Sequence, residues 1–227
     1  MIPVFEEGEN IGECLEGLSR VLSGVEHEIL VCFDREGDST LAAIRGMESP
    51  LGNPRLVKND LGAGPGFAMR AGFLAAAGDV VVCFMADLCD PPGAVAEMAE
   101  RVRAGAAVVG GARGPSAGEG GLKGALKRLA GASLGAAGFP ASDPTNNFRA
   151  FDAAFLARAR PESGGFELGL ELTVKAFLQG LSIREVPVSH AGRVRGKSRF
   201  SLSRDLSGYL RWYLRAMARA AFSRRPS

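Results

Sequence analysis

A chain of 227 residues with a formal net charge of +2 lacks the concentrated positive charge of a nucleic-acid binder. Its 46% hydrophobic and 23% charged content excludes a disordered chain and fits an ordinary globular protein. No apolar run reaches the roughly 20 residues a spanning helix needs, no signal peptide is recognisable, and the four cysteines follow no zinc-ligand spacing, which points to reduced thiols in the cytosol.

The elements alternate. MIPVF reads as the second half of a strand whose first half lies upstream of Met1. GENIGECLEGLSRVL sets Ile11, Leu15, Leu18 and Leu22 at helical spacing. HEILVCF is a strand ending at Asp34, STLAAIRGM a helix capped by Ser39 or Thr40, and RLVKN a short strand. GPGFAMRAGFLAAAG is a helix opened by glycine and closed by Gly78. An apolar strand over 80–86 leads to PPGAVAEMAERVRAG, a helix with proline in its first turn, and then to the strand AAVVGGAR. Such alternation predicts a Rossmann-like, mostly parallel α/β sheet flanked by helices on both faces.

The second half departs from that rhythm. A low-complexity loop, GPSAGEGG, precedes the helix LKGALKRLAGASLGAAG. FPASDPTNNFRAF, a short helix and the amphipathic helix GGFELGLELTVKAFLQG follow. LSIREVPVSH reads as a strand, AGRVRGKSRF as a basic loop, and 204–223 as a C-terminal amphipathic helix. No repeat or linker divides the chain, so one domain over 1–227 is expected.

In open α/β sheets ligands bind beyond the carboxyl ends of the strands. Asp34, Asn59, Asp60 and Asp87 all fall at such ends, which reads as a binding rim rather than separate turn formers.

IPVFEEGENI, GPGFAMRAGF, MADLCDPP, GGAR, SDPTNNFRAF, FELGLELTVKAFLQGLSIREVPV and RVRGKSRF follow one another over nearly the whole chain. Together they resemble the family-2 glycosyltransferases of the dolichol-phosphate mannose synthase type. That resemblance implies the GT-A fold and inverting transfer of a sugar from a nucleotide diphosphate to a polyprenyl phosphate, with Mg²⁺ or Mn²⁺ as cofactor. It implies donor binding by Pro3, Glu6, Glu7, Asp34, Asp60, Asp87, Arg193 and Ser198. Asp87 and Cys89 fall where the metal is held, and Arg113, Lys123 and Lys127 where the acceptor phosphate is met. Asp87, Arg113 and Arg193 would carry the chemistry.

Two positions depart from the family pattern. Met85 replaces the first carboxylate of the metal motif, and a thioether is a poor ligand for a hard cation. Phe33 replaces a carboxylate beside Asp34, and Arg35 next to it either reaches a phosphate or pairs with Glu36 or Asp38. A catalytically impaired sugar-nucleotide-binding protein is therefore the alternative.

An alcohol acceptor needs a general base, whereas a phosphate is already anionic near neutral pH. Asp143 is the one candidate base, with an Asp-Pro turn as its plainer reading, and His190 could line the cleft. Glu167 and Glu171, four apart, pair with Arg184 or Arg193 or face solvent. On the final helix, Leu206, Leu210, Tyr213, Met217 and Ala221 form a stripe expected to pack inward. Arg204, Arg211, Arg215 and Arg219 form a free face flanked by Trp212. That face predicts peripheral contact with anionic lipid on the cytoplasmic side of a membrane.

Overall fold

Short runs of valine, isoleucine, leucine and cysteine pair into a mixed sheet in the computed structural model, which describes residues 1–47, 53–114, 121–189, 191–192, 195 and 202–223. Strands β1 (Ile2–Val4), β2 (Leu30–Phe33) and β3 (Arg55–Lys58) are parallel and adjacent in that order. Strands β4 (Val80–Cys83), β5 (Val108–Arg113), β6 (Arg149–Asp152) and β7 (Ile183–Val188) lie in the order β4-β6-β5-β7. The Met1 ammonium donates to the Val82 carbonyl at 2.7 Å, and the Phe84 N–H donates to the Met1 carbonyl at 3.0 Å. These bonds seat β1 beside β4, giving β3-β2-β1-β4-β6-β5-β7 across the molecule. Of the described strands, only β6 runs antiparallel to its neighbours.

Alternation along each strand divides the core. Ile2, Val4, Val31, Phe33, Val109 and Ala150 face helices α1 (Ile11–Val21), α2 (Ser39–Arg45) and α4 (Ala94–Arg103). Val81, Cys83, Val108 and Phe151 face α3 (Pro65–Ala75), α6 (Ala153–Ala159) and α7 (Leu168–Leu178). The mostly parallel sheet covered on both faces is thus as expected. Helix α3 lies so close to the sheet that a Cβ at Gly72 would stand 2.7 Å from the Cys32 sulfur. A third layer, α5 (Gly121–Ala136) and α8 (Leu202–Ser223), packs on α7 through Leu134, Leu170, Val174, Trp212 and Ala216.

Several local expectations are corrected. Asp38, not Ser39 or Thr40, caps α2, its carboxylate accepting from the Thr40 N–H, because a carboxylate is the stronger acceptor for the exposed helix N–H groups. Helix α3 ends at Ala75 with Ala76 extended, two residues short of Gly78. Helix α4 begins at Ala94, so Pro91 and Pro92 stand outside it and lend their carbonyls to the Ala94 and Val95 N–H groups. Strand β4 stops at Cys83, releasing 84–86 into the loop. The strand β6 was not expected: four residues carrying an arginine do not read as apolar.

Helix α7 is buried on nearly every side rather than amphipathic. Glu171 is fully buried: its carboxylate accepts from the N–H groups of Glu162 and Ser163 at 2.8 and 2.7 Å and pairs with Lys175 at 2.6 Å. It meets neither solvent nor Arg184. Ser163 in turn accepts from the indole N–H of Trp212 at 3.0 Å.

Helix α8 meets the expectation in part: Tyr213 and Met217 of the expected stripe pack on the third layer, but the helix is turned so that its leucines face out. Trp212 is 1% exposed, whereas Leu206, Leu210 and Leu214 are 48%, 48% and 56% exposed. Arg211, Arg215 and Arg219 do not form a free face, and the side chains of Arg204 and Ala221 lie outside the described residues. Arg211 and Arg215 lie over the Trp212 ring and pair with Glu162, and Arg219 lies over Phe177 and donates to the Leu178 carbonyl. A helical wheel finds stripes but does not say which faces inward. Trp212 offers the most apolar area and an N–H that needs a partner when buried, and it took the inner position.

Replacing Trp212 with alanine removes the largest side chain in this third layer. The variant should lose about 3–5 kcal/mol of stability, read by urea unfolding.

Candidate functional site

The parallel strands deliver Asp34, Asn59, Asp87 and Arg113 to one rim, since each lies at or just past a carboxyl end. At the end of β2, Asp34 is half-buried. Its carboxylate accepts from the Asn59 amide at 2.7 Å and from the Gly64 N–H at 3.0 Å. Asn59 also binds the Gly62 carbonyl and the Leu61 N–H. Asp34 therefore ties β2, β3 and the start of α3 into one rigid corner. Asp60, expected at the donor, points instead to solvent, 80% exposed beside Lys58. The buried Asn59 holds the inner position because strand alternation gives it that side.

The β1–α1 loop is shaped by Asp38, which the sequence offers only as a partner for Arg35. Asp38 is 1% exposed and accepts from the Glu6 N–H, the Thr40 N–H and the Thr40 hydroxyl, while Thr40 accepts from the Glu7 N–H. The Asp-Ser-Thr run before a helical pattern was its signal. Glu6 adopts a left-handed φ of 57°, a conformation that persists only where neighbours impose it. Its carboxylate pairs with Arg35, whose hydrogen bond holds the carboxyl pKa below the usual range. Arg35 also lies 4.9 Å from the Phe5 ring centroid, so it pairs with neither Glu36 nor Asp38. Glu7 accepts from the Asn10 amide at 2.7 Å. Pro3 is buried within β1 opposite Cys32, so it belongs to the sheet and not to the loop.

After β4 the chain turns sharply. Leu88 has φ 59°, a second strained non-glycine residue at the rim. The turn aims the Cys89 N–H at Asp87 Oδ1, 3.2 Å away. The Cys89 thiol is buried and set against the Asp87 carbonyl at 3.6 Å, so Cys89 orients Asp87 through its backbone, contrary to the expectation that its sulfur would hold a metal. Met85 packs on the apolar cluster beneath α3 and α7, and Phe33 is buried under α1 and α2. Among the described residues no three His, Cys, Asp or Glu side chains are grouped to hold a metal ion. Asp87 alone fits a cation that draws the rest of its shell from donor phosphates and water, the usual manner of Mg²⁺.

At the far end, Arg113 closes β5. Its Nε and Nη2 donate to Asp143 Oδ2 and Oδ1 at 2.6 and 3.2 Å. Asp143 also accepts from the Thr145 hydroxyl at 3.1 Å. Asn146 bridges the Gly111 carbonyl and the Phe148 N–H, and Glu185 on β7 accepts from the N–H groups of Ser142 and Asp143. Glu167 stands at the start of α7 without a side-chain capping bond, its carboxylate close against Gly165 and Gly208. Arg193, Ser198 and His190 lie outside the described residues, as do the loop 115–120 and the side chains of Lys123 and Lys127. Within the same basic loop Arg195 is described. It reaches back to the Glu9 carbonyl at 3.1 Å and to Glu13 at 3.4 Å, while the Ala191 N–H binds the Cys89 carbonyl at 3.1 Å. Of the described residues there, Ala191 thus meets the β4 turn and Arg195 the start of α1.

A family model described as glycosyl transferase family 2 matches residues 1–159. A dolichol-phosphate mannosyltransferase of Pyrococcus furiosus is 25% identical over 224 residues, covering 96% of this chain and 62% of its own length. The chain thus spans less than two thirds of that relative. A dolichol-phosphate mannosyltransferase of Saccharomyces cerevisiae is 26% identical over 213 residues, covering 88% and 80%. Among solved structures, glucosyl-3-phosphoglycerate synthase from Mycobacterium tuberculosis with Mn²⁺, uridine diphosphate and glucosyl-3-phosphoglycerate superposes with a TM-score of 0.71 at 18% identity, over 97% of this chain and 78% of that one. Its complex with Mg²⁺ and uridine diphosphate gives 0.73 at 20% identity, over 96% and 77%. These structures share the fold, which is of the GT-A type. With 159 of 227 residues matched by its model, the chain belongs to glycosyl transferase family 2.

Proposed function

We propose that the chain is an inverting glycosyltransferase that moves a sugar from a nucleotide diphosphate sugar to a polyprenyl phosphate. The observation that carries this reading is the pairing of charges along one strand-end rim, with Asp87 after β4 and Arg113 at the end of β5. The names of the two mannosyltransferase relatives support the acceptor class.

In this reading Asp34 and the loop fixed by Asp38 receive the nucleoside. A Mg²⁺ or Mn²⁺ ion between Asp87 and the donor phosphates would supply the positive charge that stabilises the departing diphosphate. Arg113 orients the acceptor phosphate. One of that phosphate's oxygens attacks the anomeric carbon opposite the leaving group, forming the new C–O bond as the bond to the nucleoside diphosphate breaks. A phosphate oxygen is already anionic near pH 7, so no general base is required. The roles of Lys123, Lys127, Arg193 and Ser198 rest on the resemblance alone.

The packing of Met85 into the core favours one alternative, a protein that binds sugar nucleotides without turning them over. Turnover measured across GDP- and UDP-sugars decides between the two.

The acceptor class also bears on α8. No described helix is long and apolar enough to cross a membrane. The exposed Leu206, Leu210 and Leu214 recur every four residues and form one face. Arg211 and Arg215 flank it with about half of each side chain exposed. The Tyr209 hydroxyl, on the same helix, donates to the Phe166 carbonyl at 3.0 Å, which also accepts from the Asn147 amide at 3.0 Å, so α8 is tied to the loop before β6. An apolar stripe bordered by arginines suits the surface of an anionic bilayer, with the acceptor end of the rim brought close to it.

Asp87→Ala should lower turnover by about 10²–10³-fold while the circular dichroism of the folded protein is retained; near-normal turnover would refute the assignment. Titration calorimetry should show weak Mn²⁺ binding to the protein alone and tighter binding once a nucleoside diphosphate is present, with Met85→Asp strengthening the former. The protein should float with anionic vesicles at low salt. Replacing Leu206, Leu210 and Leu214 together with asparagine should abolish flotation, since each leucine withdrawn from water contributes about 1.5–3 kcal/mol.

A further inference from the structure

Arg113 arrives at the rim with its guanidinium already engaged. The pair with Asp143 is largely out of solvent, with 6% of the Asp143 side chain and 18% of the Arg113 side chain exposed. Two parallel N–H to oxygen bonds fix the plane of a guanidinium as one bond cannot. Asp143 is itself held from several sides. Thr145 donates to its carboxylate, its own N–H donates to Glu185 at 3.3 Å, and Arg149 Nη2 donates to its carbonyl at 2.9 Å.

Arg149 is the unusual member. It is 1% exposed, on β6 between the sheet and α7. Two glycines make room for it: a Cβ at Gly110 would stand 2.9 Å from its Nη1, and one at Gly169 3.1 Å from its Nε. Its Nε and Nη1 meet no acceptor among the described residues. A buried guanidinium is expensive to keep, and hydrophobic side chains of similar size fill such slots at least as stably. Stability alone therefore does not account for an arginine here. Its single described hydrogen bond goes to the residue that grips Arg113.

We propose that Asp143 is a positioning residue for Arg113 and not a general base, and that the buried Arg149 fixes Asp143 in that role. Arg149 anchors the backbone of the loop, the Asp143 carboxylate anchors the Arg113 fork, and the fork presents a preset plane to the acceptor phosphate. A carboxylate committed to two guanidinium bonds is a poor proton acceptor for a substrate. A preset fork loses less side-chain freedom on binding phosphate than a free one. The proposal rests on the reading of Arg113 as the acceptor-phosphate residue.

The test uses farnesyl phosphate as a soluble acceptor and whichever sugar nucleotide turns over. Asp143→Asn should raise the KM for farnesyl phosphate by about tenfold to a hundredfold, while the donor KM and the slow hydrolysis of donor without acceptor stay unchanged. In an Arg113→Gln background the same substitution should add nothing, since Asp143 acts only through Arg113. Arg149→Met should fold and shift the same KM in the same direction. Asp143→Ser serves if the asparagine variant fails to fold. A fall in kcat with unchanged KM and loss of the acidic limb of the pH–rate profile would make Asp143 a base and overturn the proposal. So would equal effects of Asp143→Asn in both backgrounds, or an unchanged KM in Arg149→Met. If Arg113→Gln raises the KM and Asp143→Asn does not, positioning alone fails; if Arg113→Gln has no effect, the acceptor reading of Arg113 fails with it.

Discussion

β6 runs against β4 and β5, and the Arg113 end of the rim depends on that reversal. Parallel strands bring their carboxyl ends to the ligand side of a sheet. An antiparallel strand brings its amino end there, so the residues before Arg149 reach the site and those after Asp152 leave it. This is why Asp143, Thr145 and Asn146 stand beside Arg113 and Gly111. A parallel strand in the same slot would have placed the start of α6 at the rim instead. The reversed strand also demands close neighbours. A Cβ at Gly111 would stand 3.0 Å from the Phe148 ring, so the GGAR run is glycine where β6 and its loop press on β5.

Asp38, Glu171 and Arg149 are among the most deeply buried charged side chains of the described residues, and the way each is satisfied separates support from function. Asp38 accepts from two backbone N–H groups and a hydroxyl. Glu171 accepts from two backbone N–H groups and pairs with Lys175. Both are supplied with donors, and both hold loops in place. An ion taken out of water loses several kcal/mol unless such partners are provided. Arg149 is provided for less well. Burial pushes its pKa down, and the carboxylates of Asp143 and Glu185 oppose that shift without hydrogen-bonding its Nε or Nη1. Under-satisfied polar groups in a well-packed fold concentrate where chemistry or binding is done.

The sheet was legible because strands buried on both faces are nearly continuous in apolar residues, and glycine and proline punctuate them. The strand-end carboxylates Asp34 and Asp87 were legible for the same reason: a charge that ends an apolar run stands out. β6 was not, because its alternation includes Arg149, a charge that only a pair of distant glycines accommodates. Burial of α7 was misjudged since the third layer, α5 and α8, covers a face that local periodicity assigns to solvent. The orientation of α8 was misjudged because stripes of similar amphipathicity compete, and tertiary partners such as Ser163 and Glu162 decide between them. Asp60 and Asn59 differ by one position, and one position reverses the face.

The two departures from the family pattern, Phe33 and Met85, change the charge of the rim rather than its shape. Phe33 is buried in the core, and Met85, partly buried, packs against the cluster beneath α3 and α7. What is lost is negative charge, which leaves Asp34 and Asp87 on the donor side. The described cations there are committed as well: Arg35 to Glu6, Lys58 near Glu36 and Asp60, and Arg195 to Glu13. In the proposed reaction a nucleotide diphosphate entering this end meets Arg35, Lys58 and Arg195, each already beside a carboxylate, so direct neutralisation requires it to compete with those contacts. In the proposed reaction the divalent ion resolves this. A single carboxylate repels an incoming diphosphate less than two would, and a cation recruited with the donor brings the missing positive charge to Asp87 without breaking any of the existing pairs. In that reaction the absence of a carboxylate at Met85 and a cation delivered with the donor would be two sides of one electrostatic arrangement.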